Sequence, residues 1–237
     1  MPTPIPSATW HAKTTGAYDR ASNEAFENAI CTWNLLSSLG WTLQAMCAVY
    51  GNIEAESGYN FWRWEGDNVP ASSGSLAHGY GFPQFTPARK YIESQYAWAN
   101  TGFGPNFTDW QGSLYDGDSQ LRFIDEHADY STDNPYTDYH ITYDEFKHGE
   151  YTPEFLAKAW LHNYERPYDQ SSYVEDYRAS IARYWYDALV QYTPDTPIPP
   201  EPGGGIPSNP QIADSEAYNL QRTFKINFYL KPWYKNK

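Results

Sequence analysis

Cysteine is scarce in this 237-residue chain, with two residues, and no CxxC or HExxH spacing occurs. The six histidines are scattered, so neither a metal site nor a cofactor is expected. Cys31 and Cys47 fall on two successive predicted helices. They can pair if those helices are antiparallel, and two buried free thiols are the alternative. No run of about 18 apolar residues is present, so no membrane-spanning helix is expected. The start, MPTPIPSATW, lacks the basic residues and apolar stretch of a secretory signal, and no export address is expected. Positive charge is also in short supply: 16 Lys and Arg stand against 29 Asp and Glu, a formal net charge of -13. Such a surface repels nucleic-acid phosphates and anionic lipid headgroups alike, which argues against both as partners.

Aromatic residues, in contrast, are abundant at 18%, with 10 Trp and 22 Tyr. Rings on this scale either build the core or line a groove, where flat apolar faces with polar tips suit sugars. Residues 193–210, TPDTPIPPEPGGGIPSNP, read as a linker, because proline stiffens them, glycine loosens them and apolar periodicity stops. The chain thus divides into a domain at 1–192, the linker at 193–210 and a tail at 211–237. The tail alternates Phe224, Ile226, Phe228 and Leu230, which predicts a single strand. A lone strand needs a partner, and its basic local charge suits docking on the acidic domain or on another protein.

Helix starts are well marked before the linker. Thr86-Pro87 and Thr152-Pro153 each offer a capping hydroxyl before a proline, while Thr142 with Glu145 and Ser172 with Glu175 match capping boxes. Apolar spacing adds helices over 25–38, 41–57 and 118–130. Residues 58–85 are rich in Gly, Ser and aromatics without helical period, the kind of long irregular segment that is commonly functional.

That segment follows GNIEAESGYN, residues 51–60, where a predicted amphipathic helix ends in two glutamates. Met46, Val49, Tyr50 and Ile53 form its apolar stripe, and Glu56 falls on the stripe's border. A partly desolvated carboxyl there holds a proton more readily, as a general acid must. Glu54 lies on the opposite flank, and periodicity alone does not choose between them.

Three motifs occur in order: GNIEAESGYN, then HGYGFPQFTPARKYI at 78–92, then LAKAWLHNYERP at 156–167. Together they resemble the lysozyme domain of bacteriophage tail proteins, within the lysozyme-like muramidases and lytic transglycosylases. The resemblance covers about residues 25–188. It implies a mainly α, lysozyme-like helical domain with a small irregular or β-containing lobe. It makes Glu56 the catalytic acid, so that Glu54→Gln should be mild. It places Gln84 of the second motif facing the saccharide and Tyr164 of the third near the acid or the sugar at its cleavage site; Tyr80 and Phe85 of the second motif and the nearby Trp62 are further candidates for sugar contact. Gly79 and Gly81 would then let backbone approach a sugar. The chain departs from the family pattern after Asn60, where relatives often carry proline and this chain reads FWRWEGDN. There Trp62 and Trp64 either widen the sugar contact or pack beneath the loop.

The implied substrate is the β-1,4 glycan of bacterial peptidoglycan, and the implied setting is the virion tail acting on the wall. Other tail proteins are the expected partners of the C-terminal tail. Glycosidic hydrolysis ordinarily takes two carboxylates, about 5 Å apart for retention or roughly 6.5 to 9.5 Å for inversion. Glu65 and Asp67, in the loop after the acid, are the candidates for the second. Without a second carboxylate, the same acid fits a lytic transglycosylase, and without turnover the fold fits a wall-binding or structural tail protein.

Overall fold

The computed structural model describes residues 4–68, 76–97, 116–133 and 137–192. These belong to the first of two units in the chain, Met1–Pro200. The predicted linker at 193–210 and the predicted strand in the tail lie outside the described residues.

Helices dominate. Helix α1 (Asn23–Ser38) starts where Ser22 Oγ accepts the Ala25 N–H at 3.1 Å. In the same way α2 (Leu43–Ser57) starts at Thr42, whose hydroxyl accepts the Ala45 N–H. Short α3 (Arg89–Ile92), α4 (Asp116–His127) and α5 (Tyr143–His148) follow, the last opened by the expected Thr142–Glu145 capping box. Helix α6 (Pro153–Trp160) has Thr152 as its cap and proline in its first turn, as expected, and runs into a π-helical turn at Leu161–Glu165. Helix α7 (Ser172–Leu189) closes the described part, ending in a 3-10 turn.

Two expected helix starts are placed differently. Thr86 does not cap α3; its hydroxyl donates to Gln84 O at 2.8 Å, and the helix begins at Arg89. Ser172 is the first residue of α7 rather than its cap. Glu175 is drawn instead to His162 at 2.7 Å and Lys158 at 3.7 Å, so tertiary partners outcompete the local box. The irregular lobe carries no strand among the described residues. Its backbone makes only the isolated bridges Trp64–Tyr80 and Tyr80–Phe85, supported by Glu65 N–H on Gly79 O and Gly81 N–H on Arg63 O.

Helix α2 is the centre of the domain and corrects the expected amphipathic pattern. From Leu43 to Ser57 only Glu54 and Glu56 keep appreciable surface; every other residue is buried. A helix enclosed all round has no solvent face on which a stripe could be defined. Rings fill the space around it: Tyr50 stacks on Tyr59 at 4.7 Å, and Trp185 meets both edge-on and donates its indole N–H to Tyr59 OH. Eleven of the twelve largest fully buried side chains are aromatic, so the aromatic excess is chiefly a core. Cys31 and Cys47 are both free thiols.

An extended N-terminal segment straps the end of α2. Asn60 Nδ2 donates to Lys13 O and Gly16 O, and Tyr18 N–H donates to Gly58 O. Gly58 ends α2 in the left-handed region (φ 57, ψ 48), and a Cβ there would lie 2.2 Å from Ala17 Cβ. Both features demand glycine. Gly58→Ala is expected to cost about 2 kcal/mol. For a domain of this size that is a Tm drop of roughly 4–8 °C by calorimetry.

Candidate active site

Helices α2, α6 and α7 pack on one another more extensively than any other helices, and the chemistry collects where they meet. Asn52, on α2, donates its amide to Ala157 O of α6 at 3.1 Å. Arg178, on α7, donates Nη1 to Asn52 O and Nη2 to Glu56 Oε1, both at 2.6 Å. Glu56 lies one turn beyond Asn52, so the pair that locks the helices also fixes the acid. Arg178 is 7% exposed and Glu56 23%. The second oxygen of Glu56 meets no protein donor among the described residues and is not sealed from solvent.

Glu54 is engaged quite differently. It accepts both Nε and Nη2 of Arg20, at 2.6 and 2.7 Å, with the hydroxyls of Tyr59 and of Tyr177, the latter at 2.8 Å. At 12% exposure its carboxylate is saturated by four donors that tie the N-terminal strap to α2 and α7. It is a structural anchor with no lone pair to spare.

A third carboxyl comes into the site from the π turn after α6. Glu165 accepts the indole N–H of Trp160 at 2.9 Å, and the charges of Glu56 and Arg178 act on its carboxyl. Burial first, and then the negative charge of Glu56, push its carboxyl up to about 8, against the pull of Arg178 and the indole. Some of its surface stays open to solvent, although atoms crowd the carboxyl itself.

A profile of known families matches residues 27–189, and its description is phage tail lysozyme. The chain belongs to that family. The chain is also 31% identical over 164 residues to "Morphogenesis protein 1" of Bacillus phage B103. That alignment covers 69% of this chain and 39% of the relative, so the chain spans well under half of the relative's length. Phage tail lysozymes are glycoside hydrolases that degrade peptidoglycan.

Within this lysozyme domain the residues expected at the saccharide divide into two groups. Tyr80 is fully buried, tilted against Trp64 at 4.5 Å, and its hydroxyl donates to buried Asp116 at 2.6 Å. Burial pushes the Asp116 carboxyl up to about 6, although Tyr80, Tyr91 and Gln120 pull it down by donating to it. Phe85 is 5% exposed and stacks on Tyr91 at 5.0 Å. Both rings are buried against other aromatic side chains, which leaves little or no surface for a sugar. Gly81 has the positive φ expected of a turn (φ 84), but its missing side chain makes room for Gln120 Oε1, 2.4 Å from an added Cβ. Gln84, Trp62 and Tyr164 keep partial exposure. Gln84 sits at φ 51, a strained value for a non-glycine residue. Its amide nitrogen donates to Arg63 O and Gly81 O, leaving its oxygen without a donor among the described residues. Trp62 leans edge-on against Phe61 with its indole N–H unpartnered among the described residues, and Tyr164 stacks over Trp160 at 4.1 Å.

The two loop carboxylates are tied to the loop itself. Glu65 accepts the Gly79 N–H with one oxygen, the one nearest His78 at 3.6 Å. Asp67 accepts the Gly16 N–H and pairs with Arg63 through both oxygens. No hydrogen bond or ion pair among the described residues joins either to Glu56. Sequence reasoning missed Arg178 and assigned no role to Glu165.

Proposed function

We propose that this lysozyme domain cleaves β-1,4 glycosidic bonds in bacterial peptidoglycan, as part of a phage tail, with Glu56 protonating the departing sugar oxygen. The observation that carries this reading is the half-anchored Glu56 carboxyl. One oxygen is fixed by Arg178, the other is open, and the competing Glu54 is saturated. A fixed carboxyl with one free oxygen is the arrangement that proton donation to a substrate requires.

The neighbouring groups support the same use. The free amide oxygen of Gln84 suits a sugar hydroxyl or acetamide N–H, since its nitrogen is already committed to backbone carbonyls. The exposed parts of Trp62 and Tyr164 offer apolar faces of the kind sugars stack on. Of the two loop carboxylates, Glu65 suits the activation of a water better, because one of its oxygens carries no hydrogen bond among the described residues whereas Asp67 uses both. The alternation Phe224, Ile226, Phe228 and Leu230 supports attachment to another tail component by strand addition. Net charge adds nothing to wall affinity, because an acidic protein meeting an anionic wall gains no steering.

Mass analysis of digested wall glycan tests the reaction. Reducing ends on every new fragment are expected, from attack by water. Anhydro-muramic ends would mean that the sugar's own hydroxyl attacks, which is the transglycosylase reaction. Intact glycan after exhaustive incubation would leave only a binding or structural role.

A further inference from the structure

The loop that follows the π turn carries the most exposed large apolar side chain among the described residues. Tyr168 is 96% exposed, against 52% for the next, Tyr173. A ring so placed buries almost no surface and adds almost nothing to the stability of the domain. A single exposed ring on an unanchored loop would need no explanation. This loop, at 166–171, is anchored at both ends. Arg166 leaves the π turn in the left-handed region (φ 47, ψ 49), with its N–H on Leu161 O at 2.8 Å and its guanidinium on both Asp129 O and Asp129 Oδ2. Pro167 fixes the next φ. Asp169 Oδ1 then accepts the Ser171 N–H at 3.0 Å, just before α7 begins.

The place of the loop follows from the directions of the helices around it. Along α7, Glu175 meets His162 at 2.7 Å, Asp176 meets Lys158 at 2.7 Å and Arg183 meets Glu154 at 2.9 Å, so α7 runs antiparallel to α6 and its π turn. Against α2, Arg178 meets Glu56 at 2.6 Å, and Ala182 N lies 2.8 Å from a Cβ added at Gly51, so α7 is antiparallel to α2 as well. The end of α2 that carries Glu56, the π turn and the start of α7 therefore lie at one end of the three-helix packing, and the loop at 166–171 crosses that end. Tyr168 stands in the middle of the crossing, between Tyr164 and Tyr173, which both keep open surface.

We propose that Tyr168 is a substrate-contacting residue, its ring a stacking platform for a sugar of the glycan strand outside the bond being cleaved. This rests on the proposed cleavage of glycan at Glu56. A neutral ring suits a sugar, whose C–H face is apolar and whose hydroxyls stay in water. The stem peptides of the wall end in carboxylates and would call for a cation, but that of the loop, Arg166, is already paired with Asp129. Because the backbone holds the ring in place before substrate arrives, little ordering is lost on contact.

The experiment compares wild type, Tyr168→Ala and Tyr168→Phe on two probes: glycan strands freed of peptide by amidase treatment, and intact purified wall. Y168A should raise KM on both by roughly threefold to tenfold, the scale of one ring contact, with kcat and Tm unchanged. Y168F keeps the ring and should stay within about twofold of wild type. An unchanged KM on peptide-free strands overturns the inference; if KM rises only on intact wall, the ring belongs to the stem peptide. A Y168F as poor as Y168A overturns the stacking role, and a Y168A that loses kcat or Tm places the ring in the chemistry or the fold instead. Co-sedimentation of E56Q and E56Q/Y168A with the same peptide-free strands separates this inference from the reading beneath it. If E56Q stays active, the donor assignment falls, while weaker binding by E56Q/Y168A still upholds the ring contact. If E56Q is inactive and both proteins bind equally, only the role of Tyr168 falls.

Discussion

Replacing Glu56 by glutamine should lower cleavage of wall glycan by at least ~100-fold, the usual scale of general acid catalysis, with little change in Tm. Glutamine keeps the shape of the side chain and an oxygen for Arg178, and it loses only the titrating proton. Leaving a buried guanidinium without its anion would normally destabilise the fold. Here a second carboxyl stands ready. The charge of Glu56 is part of what keeps Glu165 protonated, so its removal lets Glu165 ionise nearer neutrality and balance Arg178. Calorimetry on the same sample should therefore show a Tm within about 3 °C of wild type, a change of roughly 1 kcal/mol.

Glu54→Gln should do the reverse. Its carboxylate is surrounded by donors alone, and Tyr59 OH already accepts the Trp185 indole. An amide NH2 placed among these groups loses an acceptor and faces the Arg20 guanidinium, which then lies largely buried without its anion. The expected cost is roughly 3 kcal/mol, the low end for breaking a buried pair. That corresponds to a Tm lower by about 6–12 °C in a domain of this size. Activity per folded molecule should stay close to wild type, because among the described residues no hydrogen bond or ion pair joins Glu54 to Glu56 or Arg178 themselves. Sequence alone expects this substitution to be mild. It is mild for the chemistry and severe for the fold, since a helix-end glutamate gives no sign of the tyrosines and arginine that converge on it from three other segments.

What was legible before the structure was local. The caps at Thr142 and Thr152 depend on residues three apart, and each forms as expected. The box at Ser172 fails because Glu175 is claimed by His162 and Lys158 from α6 and its extension, partners that no short window contains. Met46, Val49, Tyr50 and Ile53 of α2 are buried as expected, but small residues on the remaining faces, Ala45, Ala48, Gly51 and Ala55, let neighbours close in on every side and leave no separate stripe. Likewise nothing in HGYGFPQFTP distinguishes a ring that faces a sugar from one that packs inward, and Tyr80 turns to a buried aspartate two segments away. Arg178 left a signal that could have been read. It occupies the same helical face as Val174, Ile181 and Trp185, and an arginine within an apolar row implies a buried counter-charge. Glu165 left none, because ordinary helical spacing puts it on a different face from Trp160, and only the π turn brings them together.

The central claim is that one of two neighbouring glutamates carries the chemistry and the other carries the fold. The direct measurement is the rate of purified wall lysis by E56Q and E54Q, each normalised to the fraction folded by calorimetry at the assay temperature. The account predicts a loss of ~100-fold or more for folded E56Q and a rate near wild type for folded E54Q. Lysis retained by E56Q and abolished in folded E54Q would contradict it.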